Sequence, residues 1–106
     1  MFFELRQYRT KPGQRERWVK FMEEVIIPFQ ISKGMVIAGS FIGEKEDDLY
    51  VWVRRFDSED QREQLYKDVY QSDFWRNEVA PQVDTMLDRE KIVVTRLAAT
   101  PKSVLR

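Results

Sequence analysis

The sequence predicts an α+β fold in which one four-stranded antiparallel sheet carries both of its helices on a single face. Three observations support this. The 106 residues are the usual size of one domain. Segments that alternate apolar and polar residues are interspersed with segments whose apolar residues recur every three or four positions, which indicates strands and helices. The polar run EKEDD at 44–48 joins two strand-like segments as a hairpin, and hairpin strands are antiparallel.

The first half of the chain contains a strand, a helix and a second strand. The first strand covers 2–10 and ends at the KPG turn at 11–13. Pro28 should kink or terminate the last turn of the helix that follows, and Gly34 suits the position just after it. A second strand is predicted over 35–43. The helix is indicated by the spacing of Trp18, Phe21, Met22, Val25 and Phe29.

The second half begins with a third strand at 49–56. Ser58 with Gln61 matches a capping box, which predicts a helix from about residue 59. Ser72 and Asp73 offer a second cap, so the helical region should break near residue 71 and resume, with Pro81 disturbing it again. The last strand is predicted over 91–98.

This order of elements is that of a ferredoxin-like βαββαβ sandwich, in which one face of the sheet has no helices. We expect the domain to span 1–99. Residues 100–106, TPKSVLR, lack a core pattern and are predicted to form a C-terminal tail.

Composition excludes several classes of function. The 18 basic and 18 acidic residues are interleaved, so no nucleic-acid partner is expected. No apolar run approaches the ~18 residues of a membrane span, and no signal peptide is evident, so we expect a soluble cytoplasmic protein without a membrane partner. The chain has no cysteine and no histidine, which predicts no metal site and leaves Asp, Glu, Tyr, Lys, Arg and hydroxyl groups for any chemistry. No cofactor is predicted.

Strand alternation divides the first and third strands into two sets of side chains. Small aliphatic residues suit packing under helices, so we expect the mainly aliphatic set to face the helices. It comprises Phe3, Leu5, Gln7, Leu49, Val51, Val53 and Arg55. The aromatic and charged set is then expected on the helix-free face, and it comprises Glu4, Arg6, Tyr8, Tyr50, Trp52, Arg54 and Phe56.

The first and third strands should be antiparallel neighbours at the centre of the sheet. We expect the register that gives each charge of the aromatic and charged set a partner, as burial would demand. It produces an ion pair, a cation-π contact and an aromatic pair on successive rungs. The predicted pairs are Glu4 with Arg54, Arg6 with Trp52, and Tyr8 with Tyr50.

A sheet face this rich in aromatic residues should meet a second copy of the protein or a ligand. Either it is a dimer interface with buried ion pairs, or two such faces enclose a cavity for a small aromatic or anionic molecule. Both interpretations predict a homodimer. The candidate cavity-lining residues are Glu4, Arg6, Tyr8, Tyr50, Trp52, Arg54 and, at the rim after the helix break, Trp75.

Three segments follow one another in a recognisable order: FFELRQYRTKPG at 2–13, YVWVRRFDSEDQR at 50–62 and YQSDFW at 70–75. Together they resemble the NIPSNAP family, in its N-terminal strand and P-G turn, its third strand and helix start, and its step into a second helical segment. The resemblance implies a dimeric α/β barrel, a fold shared with antibiotic-biosynthesis-type monooxygenases. It implies no established reaction.

Three functions stay open at this point. The first is a homodimeric small-molecule-binding domain of uncharacterised activity. The second is a cofactor-independent monooxygenase or isomerase, with a base at Glu4, or at Tyr8 if Arg6 or Arg54 lowers its pKa. The third is a structural or assembly module whose tail, from Thr100 on, swaps onto a neighbouring molecule.

Overall fold

A computed structural model describes all 106 residues. Its four strands form one antiparallel sheet in the order β2-β3-β1-β4, and the order of elements confirms the predicted α+β, ferredoxin-like class. The strands are β1 (Phe2–Arg9), β2 (Val36–Ile42), β3 (Leu49–Phe56) and β4 (Val93–Leu97). The helices are α1 (Arg15–Phe21), α2 (Ile27–Ser32), α3 (Glu59–Tyr70) and α4 (Ala80–Met86), with π-helical turns at Met22–Ile26 and Trp75–Val79 and a 3-10 turn at Arg89–Lys91.

The first helical region runs without interruption through α1, the π-helical turn and α2. Pro28 does not end it, because the proline lies in the first turn of α2, directly after the π-helical turn, where its missing N–H is accommodated. Gly34 ends the region as predicted, with φ of 103°. The N–H groups of Gly34 and Met35 bond to the carbonyls of Ile31 and Gln30, which is the pattern of a Schellman motif.

The second helical region starts and restarts at the two predicted caps. Ser58 Oγ accepts a hydrogen bond from the Gln61 backbone N–H at 3.1 Å. The Gln61 side chain bonds back to the N–H of Asp57 at 2.6 Å, one residue before the usual position. After α3 ends, Ser72 Oγ accepts from the Trp75 N–H at 3.1 Å and starts the second segment. The two segments therefore form one interrupted helical layer over the sheet.

The register between β1 and β3 is the predicted one. The two strands are antiparallel neighbours at the centre of the sheet, so their side chains share the same rungs. The observed pairs include Glu4 with Arg54, Arg6 with Trp52, and Tyr8 with Tyr50.

The predicted assignment of the two sheet faces is wrong. The aromatic and charged set lies under the helices, where Trp52 and Arg54 are 2% and 0% exposed. Tyr8 packs there against Trp18 and Met22 of the first helical region. The residues expected on the helix-free face and found under the helices are Glu4, Arg6, Tyr8, Tyr50, Trp52, Arg54 and Phe56.

The aromatic and charged set lies under the helices for two reasons, the volume of its side chains and the pairing of its charges. Large side chains fill the space between the sheet and the two helical regions, which small aliphatic residues would leave empty. The charges tolerate burial there because each of them finds partners. The helix-free face consequently carries the aliphatic set, among it Val51 and Val53, together with Phe41 of β2, which is 56% exposed.

The C-terminal residues form no strand or helix beyond β4. Ser103 bonds to Thr100 and Leu105, and Arg106 bonds back to Ser103 and Pro101, so these hydrogen bonds stay within the tail. None of the helices has both the length and the apolar character needed to cross a membrane.

We predict that Ser58→Ala lowers the free energy of unfolding by about 1 kcal/mol, because the first turn of α3 loses its capping acceptor. Urea titration followed by circular dichroism would measure it. Ser103→Ala, in the tail, is the matched control and should stay within about 0.5 kcal/mol of the parent. Equal effects of the two substitutions would contradict a capping role for Ser58.

Candidate functional site

A buried ion pair lies at the centre of the helix-covered face. Nη2 of Arg54 donates to Oε1 of Glu4 at 2.7 Å, and Nε of Arg62 donates to Oε2 at 2.7 Å. The hydroxyl of Tyr66 lies 2.8 Å from both oxygens and donates to the carboxylate. Glu4 has no exposed surface, and both of its oxygens are occupied by short, charge-assisted hydrogen bonds.

Arg54 draws further partners from both helical regions. Its Nη1 donates to the Tyr70 hydroxyl at 2.7 Å and to Oε1 of Gln30 at 3.0 Å, and its Nη2 also reaches the Tyr66 hydroxyl at 2.7 Å. Four aromatic rings surround the guanidinium at 4.8 to 5.8 Å, those of Trp52, Phe56, Tyr66 and Tyr70. We call Glu4, Arg54, Arg62, Tyr66, Tyr70 and Gln30 the Glu4–Arg54 network.

The network holds its charges in the ionised form. Burial alone would raise the pKa of Glu4, but the positive charge of Arg54 and the hydrogen bonds from Arg62, Tyr66 and Arg54 outweigh it and lower that pKa to about 2. Burial also opposes the charge on Arg54, and the surrounding tyrosines and Glu4 overcome it and raise its pKa. Burial raises the pKa of Tyr66 to about 12, so this hydroxyl remains a proton donor to Glu4.

A pocket of about 150 Å³ lies beside this network, between the sheet and the helices. Its floor comes from the sheet, through Arg6, Tyr8 and Trp52. Tyr70 and Trp75 form one wall, with their rings edge to face at 4.7 Å between centroids. The remaining lining residues are Trp18, Met22, Ile26, Tyr66, Val83, Leu87, Arg89 and Ile92. We call this the aromatic pocket, since all three tryptophans of the chain line it.

Four of the seven predicted site residues line the aromatic pocket: Arg6, Tyr8, Trp52 and Trp75. The other three do not. Glu4 and Arg54 belong to the neighbouring network, and Tyr50 packs against Trp18 in the core and shares a 2.6 Å hydrogen bond with Ser40.

One predicted contact is replaced by others. Arg6 does not form the expected cation-π contact with Trp52; the guanidinium of Arg54 lies over that ring, at 4.8 Å. Arg6 lies 5.5 Å from the ring centroid of its own-strand neighbour Tyr8. The predicted Tyr8 and Tyr50 aromatic pair is present, with centroids 6.2 Å apart.

Several pocket residues were missed by the sequence analysis. Tyr66 and Tyr70 are four residues apart on α3 and each directly follows a buried residue, Leu65 or Val69. Residues four apart lie on the same side of a helix, so both tyrosines lie beside the buried face formed by Leu65 and Val69. This spacing could have predicted them as site residues. Trp18 matched the core pattern of its helix, and it both packs in the core and lines the pocket.

Arg6 supplies the main positive charge of the pocket floor. Its Nε donates to the Tyr8 hydroxyl at 2.7 Å, and its Nη1 lies 3.7 Å from Oε1 of Glu4. Burial opposes the charge of Arg6, yet its interaction with Tyr8 raises its pKa above the ordinary value, so it remains a cation. Burial likewise raises the pKa of Tyr8 despite the nearby Arg6, so this hydroxyl stays protonated at neutral pH.

The fold and this site define a single ferredoxin-like domain with an aromatic, positively charged pocket under its helices. The chain belongs to the NIPSNAP family, whose family model matches residues 3–101. None of the curated proteins compared with the chain matches it.

Solved structures share the fold at low sequence identity. A NIPSNAP family protein of unknown function from Agrobacterium tumefaciens is 23% identical, with a TM-score of 0.89 over 100% of this chain and 94% of that one. A second NIPSNAP family protein from the same organism is 20% identical, with a TM-score of 0.87 over 99% and 90%. An antibiotic biosynthesis monooxygenase is 13% identical, with a TM-score of 0.69 over 95% and 100%. At these identities the likeness establishes the fold alone.

We predict that in Glu4→Gln the free energy of unfolding falls less steeply with decreasing pH than it does in the parent protein. The pKa of Glu4 is depressed in the folded state, so its contribution is complete above its ordinary value of 4.5 and is lost as pH falls from there toward about 2. The full contribution should be on the order of 3 kcal/mol, since each unit of pKa corresponds to about 1.4 kcal/mol. Free energies of unfolding of the parent and of Glu4→Gln, measured between pH 7 and pH 2.5, would give the slope of stability against pH for each protein.

Glu59→Gln is the matched control, since Glu59 pairs with Arg62 and Arg96 at the surface. Its slope should follow that of the parent, because exposed ion pairs contribute about 1 kcal/mol or less. Glu4→Gln should also be less stable at neutral pH, since it leaves Arg54 buried without its counter-charge. Parallel slopes for the parent and Glu4→Gln would contradict the low pKa of Glu4.

Proposed function

We propose that the protein is a small-molecule-binding domain whose site is the aromatic pocket. The observation that carries this proposal is the pocket itself, about 150 Å³ of space lined by aromatic rings and arginine beneath the helices. Binding sites combine apolar walls with a few polar groups that fix orientation, and this lining has that character. The proposed ligand is a small aromatic or anionic molecule.

We further propose that the domain works as a homodimer through the helix-free face. This face carries apolar residues on all four strands, interrupted by Gln7, Arg55 and Thr95. Val36, Phe41 and Val93 on it are each about half exposed. A contiguous apolar face of this kind requires a cover, and a second copy of the same face provides a matching one under twofold symmetry. The apolar residues on it include Leu5, Val36, Phe41, Leu49, Val51, Val53, Val93 and Leu97.

The geometry supports binding better than base catalysis by the groups that the sequence suggested. Glu4 is fully engaged by three hydrogen-bonding partners and has a pKa of about 2, which makes it a weak base. The pKa of Tyr8 is raised by burial, whereas a catalytic tyrosine base requires a lowered one. The likeness to a monooxygenase rests on fold, and fold does not specify chemistry.

We predict that Ile92→Trp abolishes binding at the pocket. Ile92 is partly buried and lines the pocket, and a larger ring there would occupy part of a space of about 150 Å³. Ligand-observed NMR with a mixture of single-ring aromatic acids, alcohols and amines should detect binding to the parent and lose it in the variant. Ile31→Trp, at an isoleucine 54% exposed on α2, is the matched control and should bind as the parent does. Binding that survives Ile92→Trp would place the ligand elsewhere.

We also predict that Phe41→Lys yields a monomer, because it introduces a charge into the proposed apolar interface, on the edge strand β2. Sedimentation velocity would show a dimer for the parent and a monomer for the variant. Ile31→Lys changes an equally exposed apolar residue on the helical side and should remain dimeric. A monomeric parent protein would remove the basis of the proposed interface.

A further inference from the structure

We propose that the ligand of the aromatic pocket is a single-ring aromatic carboxylate, with its ring among the aromatic side chains and its carboxylate directed at Arg6. This inference rests on the proposed binding function and adds the chemical class of the ligand. It follows from four properties of the pocket: the hydrogen-bonding character of its lining, two unpaired donors, an excess of positive charge and its size.

The polar groups that line the pocket are donors. The lining contains no carboxylate, no amide and no aliphatic hydroxyl. The hydroxyl oxygen of each of its three tyrosines already accepts from an arginine: Tyr8 from Nε of Arg6, and both Tyr66 and Tyr70 from Arg54, each at 2.7 Å. The O–H of Tyr66 is donated to Glu4, so the lining offers a ligand the N–H groups of arginine and the O–H groups of Tyr8 and Tyr70, which are matched by a molecule that accepts.

Two of these donors are buried without an acceptor. The indole N–H groups of Trp18 and Trp52 have no hydrogen-bond partner, and the two residues are 1% and 2% exposed. The indole N–H of Trp52 lies near the Tyr8 hydroxyl and lowers the pKa of Tyr8. The two groups do not have the geometry of a hydrogen bond, so the N–H stays without a partner. Buried polar groups without a partner are uncommon in folded proteins. Each of these two nitrogens has less than 1 Å² of accessible surface, so a ligand acceptor bonds to it only when the neighbouring side chains shift.

Positive charge around the pocket exceeds what its surroundings neutralise. Three arginines approach the single carboxylate of Glu4, Arg54 and Arg62 at 2.7 Å and Arg6 at 3.7 Å. The oxygen nearest Arg6 already receives shorter hydrogen bonds from Arg54 and Tyr66. Arg62 has a second acidic partner in Glu59, whereas Arg6 has none within 4 Å. A ligand carboxylate would supply the counter-charge that Arg6 lacks, in the two-oxygen geometry that a guanidinium favours.

The size of the pocket limits the ligand to one ring. A cavity of about 150 Å³ accommodates benzene, whereas sites for drug-sized ligands begin at about 300 Å³. The wall already contains rings in edge-to-face order, with Tyr66 and Tyr70 at 5.0 Å and Tyr70 and Trp75 at 4.7 Å. A further ring continues this arrangement, and fused multi-ring molecules are too large for it.

Isothermal titration with three probes of one size tests the proposal: benzoate, benzyl alcohol and benzylamine. The parent protein should bind benzoate ~10-fold or more tightly than benzyl alcohol, because a charge-assisted hydrogen bond is stronger than a neutral one, and should bind benzylamine least. Arg6→Gln should abolish the preference for benzoate over benzyl alcohol. Arg17→Gln, at an exposed arginine of α1 that bonds only to Gln14, is the matched control and should retain the preference.

Trp52→Phe provides a second test that does not depend on Arg6. It retains an aromatic ring and removes one unpaired N–H, so benzoate binding should weaken ~5-fold or more while the fold is kept. Equal affinity of the parent for all three probes, or an unchanged preference in Arg6→Gln, would overturn the carboxylate assignment.

The test separates this inference from the proposed function. If none of the three probes binds but another small molecule does, and Ile92→Trp abolishes that binding, the carboxylate assignment is wrong and the binding function stands. If no small molecule binds in a pocket-dependent manner, both are wrong.

Discussion

The ion pair between Glu4 and Arg54 is the interaction on which the rest of this structure depends. Both side chains are fully buried at the centre of the sheet, and a buried charge without partners would destabilise the fold strongly. The partners come from every layer: Glu4 from β1, Arg54 from β3, Gln30 from α2, and Arg62 with its neighbouring tyrosines from α3. The network therefore fixes both helical regions over the same face of the sheet.

The same network shapes the pocket beside it. Tyr66 and Tyr70 bond to Arg54 through their hydroxyls and present their rings to the pocket, so one set of contacts determines both the ion pair and the pocket wall. Because their oxygens already accept from Arg54, these tyrosines have less acceptor capacity left for a ligand. Three arginines share the one carboxylate of Glu4. Arg6, the most distant of them, therefore lies on the pocket floor without a close counter-charge of its own. A structural ion pair and a candidate binding site are thus two results of one arrangement.

The two faces of the sheet carry different chemistry, and this division separates the two proposed activities. The helix-covered face combines aromatic rings with paired charges and contains the pocket. The helix-free face is largely aliphatic and suits association with a second copy. Sequence alternation grouped these two sets correctly but placed each on the opposite side. Three of the predicted site residues, Arg6, Tyr8 and Trp52, still line the pocket, because they share a sheet face whichever side that face occupies. The fourth, Trp75, reaches the pocket from the second helical region.

Sequence alone determined the order of the elements, the caps at Ser58 and Ser72, the positive φ at Gly34 and the pairing of Glu4 with Arg54. These features depend on local backbone preferences or on the need of each charge for a partner, and both can be recognised in the chain itself. Only the tertiary structure decided which face the helices cover and which residues enclose the pocket. Alternation has period two and is symmetric between the faces. The choice between them depends on the volume that the helices leave over the sheet, and Trp18, Tyr66 and Tyr70 join the site only once that packing is complete.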